Sequence, residues 1–131
     1  MLLKVDFEGE QPIYLQIRDQ VVEGIASGGL EPGESLPSVR QLAADLDINL
    51  QTANKAYSIL QGEGFVKVHK REGFLVKSAE EMRAGPGHLN ELRDKLRPIT
   101  AEAVCRGLSE AEFTGICAAI FADMEKGKES R

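Results

Sequence analysis

At Phe65 the apolar pattern of this chain changes period, and that change leaves few folds open. Before it, apolar residues recur at steps of three and four, the spacing of a helix buried on one side. Ile13, Ile17, Val21 and Ile25 make one stripe, Val39, Leu42, Ala43 and Leu46 a second, and Ala53, Ala56, Tyr57 and Leu60 a third. After it, Val66 and Val68 alternate with Lys67 and His69, Arg71-Glu72-Gly73 turns the chain, and Phe74-Leu75-Val76 returns. The pattern predicts three helices followed by a β-hairpin.

The punctuation agrees with the stripes. Pro12 suits the first position of a helix, where its missing N–H costs nothing, and Gly28-Gly29 stops that helix. Glu31-Pro32-Gly33 reads as a turn. Ser38 and Gln41 form a capping box that predicts a helix over 38–46. Asp47-Ile48 is a tight link, Asn49 an N-cap for the third helix, and Gly62 and Gly64 close it. Upstream, Leu3, Val5 and Phe7 alternate with charged residues, as in a short strand or an extended arm.

Composition shifts over 78–87, where Gly85-Pro86-Gly87 is a strong breaker. The division expected is therefore 1–77, a linker over 78–87, and a helical segment over 88–126. Leu89, Leu92, Leu96, Ile99 and Ala103 keep helical spacing, with Pro98 expected to kink or interrupt the run and Gly107 to end it. Ser109 and Glu112 open a last helix, and the tail from Lys126 is expected to fray. Its apolar face of Phe113, Ile116, Cys117, Ile120, Phe121 and Met124 is too wide to leave in water. With Leu92, Leu96 and Ile99 it is expected to form the interface of a homodimer.

Composition removes several classes of function. At 131 residues, 42% hydrophobic and 28% charged, the chain is short for an enzyme carrying its own cofactor domain. A formal charge of -5 excludes a general polycation, so any nucleic-acid site is local. The longest apolar run, 116–122, is far below the roughly 20 residues of a membrane span. The opening MLLKVDFEGE lacks the apolar core of a secretory signal, and a cytoplasmic protein is expected. Cys105 and Cys117, with His69 and His88, make no four-ligand zinc set, and two reduced thiols beside a helical core are expected. Ser35, Ser38, Asp45 and His69 are residue types used by hydrolases, but none lies in a nucleophile elbow. No catalytic residue, metal or cofactor is expected.

Three helices with a short second-to-third link and a hairpin are the layout of a winged helix-turn-helix, whose third helix enters the major groove. The fold class expected is mainly α with a small β-hairpin, a winged helix-turn-helix followed by a short C-terminal helical dimerisation segment. Gln51, Thr52, Asn54, Lys55 and Ser58 face outward on the third helix. Amides there can read adenine edges, while hydroxyls and lysine hold phosphate.

The stretch PIYLQIRDQVVEGIASGGLEPGESLPSVRQLAADLDINLQTANKAYSILQGEGFVKV resembles the DNA-binding domain of GntR-type bacterial transcription regulators, with LPSVRQLA, NLQTANKAY and EGF carrying the likeness. PIYLQI, KAY and the short helical tail resemble the YtrA-like subfamily, whose members add a two-helix dimerisation segment. The resemblance implies a homodimeric repressor of a palindromic DNA operator. It assigns Arg40 to a DNA-contacting arginine, Thr52 to a hydroxyl near phosphate, Gln51, Asn54 and Lys55 to the reading face, and Lys70 and Arg71 to the wing. Ser38, Asn49 and Gly73 complete the expected DNA-binding set. Asp47 stands where the family commonly has glycine, Leu50 where it has proline or a polar residue, and Glu72 interrupts a basic wing. The sequence identifies no small-molecule effector. The alternative is a winged-helix protein-interaction module without DNA binding, which the acidic charge permits.

Overall fold

The computed structural model describes residues 3–129. In chain order the elements are α1 (Ile13–Ala26), α2 (Val39–Leu46), α3 (Leu50–Gly62), β1 (Val66–His69), β2 (Gly73–Val76), α4 (Ala79–Met82), α5 (Pro86–Cys105) and α6 (Glu110–Glu129). The architecture is that of a winged helix-turn-helix followed by helices.

The stripes meet where their spacing sends them. Ile17, Val21, Leu42, Ala53, Ala56, Tyr57, Leu60, Val66 and Val76 are buried together, with α3 packed across both α1 and α2. Leu30 and Leu36, from the connection between α1 and α2, complete that core. No buried side-chain nitrogen or oxygen among the described residues lacks a hydrogen-bond partner.

Caps decide the helix starts. Pro12 is the N-cap residue of α1 rather than its first helical residue. Ser38 caps α2 by accepting from the Gln41 N–H at 3.1 Å, but the reciprocal half of the capping box does not form. The Gln41 amide instead donates to Asp45 Oδ1 at 2.6 Å, one helical turn on. Asn49 caps α3 by accepting from Gln51 N–H at 2.7 Å. Between the two helices Asp47 takes the left-handed conformation at φ 53°, which an acid with a short side chain tolerates where most residues would not.

The hairpin pairs antiparallel, with Val66 opposite Val76 and His69 opposite Gly73. The segment leading into α2 joins its edge: Leu36 N–H donates to Phe74 O and Val76 N–H to Glu34 O, at 2.8 and 2.9 Å. The wing and the start of α2 are thus stitched into one small sheet. Val68 shares the inward side of β1 with Val66 yet is exposed, because the hairpin outruns the core.

The N-terminal arm is extended but pairs with no strand. Its backbone is held by two glutamines one turn apart on α1: Gln16 Oε1 accepts from Asp6 N–H at 2.8 Å and Gln20 Oε1 from Lys4 N–H at 2.9 Å. Each amide also donates back, Gln16 to Asp6 O and Gln20 to Lys4 O, so two side chains do the work of a neighbouring strand. Leu3 and Val5 pack on the core, while Phe7 stays exposed.

Three expectations for the second half of the chain are corrected. The linker over 78–87 is partly helical: α4 forms on a capping box between Ser78 and Glu81. The Ser78 backbone N–H, followed by the Lys67 ammonium at 3.0 Å, lowers the Glu81 carboxyl to about 2 and ties α4 to β1. Pro98 does not interrupt α5, which runs through it to Cys105. That stretch is exposed, so water can satisfy the carbonyl the proline leaves unpaired. The tail does not fray at Lys126, because α6 continues to Glu129 and contacts α1.

Candidate nucleic-acid interface

Three pieces of chain converge on one surface: the N-terminus of α2, the outward side of α3 and the tip of the wing. The wing is fixed to the α2 lead-in by Ser35, whose hydroxyl donates to Glu72 O at 2.8 Å. The wing turn itself folds around His69, whose Nδ1 lies 3.2 Å from the backbone nitrogens of both Arg71 and Glu72 and accepts from them. Gly73 closes the turn at φ 76°, a backbone role that glycine fills without strain.

Arg40 lies in the first turn of α2, exposed and with no side-chain partner among the described residues. Gln51 and Asn54 are exposed on α3, again with free amide side chains among the described residues, while Thr52 is half-buried on its flank. Lys70 and Arg71 project from the wing tip, also exposed. Unpaired donors and acceptors on a rigid helix are what base-edge and phosphate contacts require, since they can bind without first breaking internal bonds.

The remaining expected residues are more constrained. The Ser38 and Asn49 oxygens are engaged as helix caps, so their acceptor capacity serves the fold first. Lys55 places its ammonium 4.0 Å from the centroid of the Tyr14 ring, which holds the charge on the flank of α3 that faces α1. Across the base of α3, Arg18 pairs with Glu63 at 2.8 Å and lies over the Phe65 ring at 5.3 Å. That contact braces α3 against α1.

Three residues of this surface were not assigned by sequence reasoning. Leu50, the first residue of α3, is 43% exposed beside Gln51. An apolar side chain there suits a thymine methyl group. Ser35 and His69 shape the wing through long-range bonds that no local pattern signals; a histidine before a turn was the only hint. Among the described residues, no three His, Cys, Asp or Glu side chains are grouped to hold a metal ion.

The comparisons with known proteins agree with this geometry. Residues 13–76 match the family described as bacterial regulatory proteins, gntR family. Over 98% of its length the chain is 28% identical to the HTH-type transcriptional repressor YtrA of Bacillus subtilis, covering 99% of that protein. It is 39% identical to YtrA from Sulfolobus acidocaldarius, a GntR-family transcription factor of known structure, with a TM-score of 0.57 over 92% of this chain and 97% of that one. A crystal structure of a transcriptional antiterminator from Listeria monocytogenes EGD-e is 25% identical and superposes with a TM-score of 0.85, covering 95% of this chain and 92% of that one. The chain belongs to the GntR family of bacterial transcription regulators, and it is a DNA-binding regulator with a winged helix-turn-helix rather than an enzyme.

Proposed function

We propose that the chain acts as a homodimeric repressor of a near-palindromic operator, reading DNA with residues 1–77 and pairing through residues 88–126, with 78–87 between them. The observation that carries this reading is the state of the last two helices. α5 and α6 bury no residue fully, and they do not pack against each other as a closed hairpin. Leu92, Leu96 and Ile99 on α5 and Ile116, Ile120 and Phe121 on α6 are exposed, Phe121 by 74%, while Phe113, Cys117 and Met124 are half-buried. Apolar stripes of that length on two successive helices suit burial against a second copy of the same stripes.

In this reading Arg40, Gln51, Asn54 and Leu50 contact base edges, Thr52, Lys55 and Ser38 approach phosphate, and Lys70 and Arg71 reach the flanking groove. Asn49 and Gly73 hold the backbone of the reading helix and the wing. A cytoplasmic location fits a regulator of this family, and no helix among the described residues is long and apolar enough to cross a membrane. The repressor assignment draws on the Bacillus subtilis relative, itself described as a repressor.

Selection of bound sites from a random DNA pool, with light scattering of the free protein, tests the reading. The expected result is a dimer mass and a near-palindrome with half-sites about 10 base pairs, or a multiple, apart. A one-chain mass at micromolar concentration, or selected sites without symmetry, would overturn it. A chain that retained no DNA at low salt would favour an interaction module instead.

A further inference from the structure

The last turn of α6 rests on the C-terminal end of α1. A Cβ built on Gly127 would lie 2.7 Å from the carbonyl oxygen of Ser27 and 3.1 Å from its Cβ. The first distance is shorter than carbon and oxygen can approach without one of them moving, so this seat exists because position 127 has no side chain. The opposing backbone is itself held: Ser27 is the C-cap of α1, and its hydroxyl donates to Glu23 O at 2.9 Å. Beside the contact lies an apolar cavity of about 270 Å³ bordered by Ala26, Ile120, Phe121 and Met124.

The seat is the principal packing of α5 and α6 against the winged domain among the described residues. It also completes a rigid path. α3 packs on α1, α1 meets α6 at Gly127, and α6 carries Phe121 and its apolar neighbours. Solved relatives differ in overall superposition over nearly the same share of this chain, with TM-scores of 0.85 for the Listeria protein and 0.57 for the Sulfolobus protein, although the second is nearer in sequence.

We propose that Gly127 is a positioning residue for operator recognition: by seating α6 on Ser27 it fixes each reading helix relative to the dimer axis and so sets the half-site spacing. The inference rests on the dimeric reading above. A palindrome is bound at one spacing only if the two heads cannot swing, and the head is joined to the dimer segment otherwise by the chain itself through α4 and the Gly85-Pro86-Gly87 corner.

The test uses the full chain, its Gly127→Ala and Gly127→Val variants, and Gly115→Ala as a control on the same helix, where an added Cβ meets nothing within 4 Å. Binding is measured by fluorescence anisotropy on an isolated half-site and on palindromes whose spacing changes by single base pairs, with mass by light scattering. The unmodified chain and the control should prefer one spacing by about tenfold over sites altered by two base pairs. The Gly127 variants should keep the dimer mass and half-site affinity while their preference narrows to about threefold or moves to another spacing. An unaltered optimum and an undiminished preference in Gly127→Val would overturn the proposal, as would equal losses on half-sites and full sites. A one-chain mass for the unmodified protein would instead overturn the dimeric reading on which it stands.

Discussion

The hydroxyl of Tyr57 donates to the carbonyl oxygen of Pro37 across 2.7 Å, and its ring meets Phe74 edge to face with centroids 4.8 Å apart. One side chain of α3 therefore touches both the lead-in to α2 and the wing, the other two parts of the reading surface. Tyr57→Phe removes the donor while keeping the ring, and should lower stability to denaturant by about 1 kcal/mol. Burial pushes the phenol well above its ordinary value. The folded state favours the neutral form, so the contribution is complete below about pH 10 and is lost as the pH rises beyond that. Above it, denaturant midpoints of the unmodified protein should fall more steeply than those of Tyr57→Phe. Parallel curves would contradict the assignment.

Arg40, Asn54 and Lys55 should separate by role. Arg40→Ala should cost roughly 1 to 3 kcal/mol of specific binding if its guanidinium reads a base, and unchanged affinity in a folded variant would remove it from the site. Asn54→Ala should relax base preference at one position. Lys55→Ala should weaken all sequences alike and shallow the salt dependence by about one unit. Titrations on operator and non-operator DNA at several salt concentrations distinguish these outcomes, and identical profiles for the Asn54 and Lys55 variants would refute the division.

A charge placed in the exposed stripe tests the pairing of the last two helices. Phe121→Glu should shift the protein from dimer to monomer and weaken full operators far more than half-sites, because the second reading head is no longer delivered with the first. Sedimentation of a Phe121→Glu protein that remained dimeric would place the interface elsewhere.

The link between α2 and α3 offers a stability test with no effect on binding groups. Asp47 holds φ 53°, so Asp47→Gly should raise the thermal midpoint, by about 0.5 kcal/mol of stability, and Asp47→Ala should cost about 1 kcal/mol. If both variants melt with the unmodified protein, the left-handed link carries no strain in solution.

What the sequence made legible was set by the range of the interactions. Stripes such as Ile17 and Val21, and caps such as Ser38 and Asn49, depend on neighbours within one or two turns, and they fold as their spacing dictates. The short helix α4 was equally local: Ser78 and Glu81 stand at capping-box spacing, a signal masked by the glycines and proline that follow. The capping box at Ser38 failed in its second half because Asp45, one turn past Gln41, competes for the same amide. The partners of the N-terminal arm could not be read, since Gln16 and Gln20 look like solvent-facing polar residues until the arm lies across them. Gly127 near the end of a charged tail was likewise indistinguishable from a flexible residue, because its meaning lies a hundred positions away at Ser27.

The wing turn imposes a tautomer. With Nδ1 of His69 accepting from two backbone N–H groups, the neutral ring carries its proton on Nε2. The imidazole edge away from the turn is then a hydrogen-bond donor, set among Lys70 and Arg71 in the same exposed tip. Glu72, which in sequence looks like a break in a basic wing, contributes its backbone to holding that ring in place through both its N–H and its carbonyl. The wing thereby presents a neutral donor as well as two cations, and the neutral donor should be far less weakened by salt than the charges beside it.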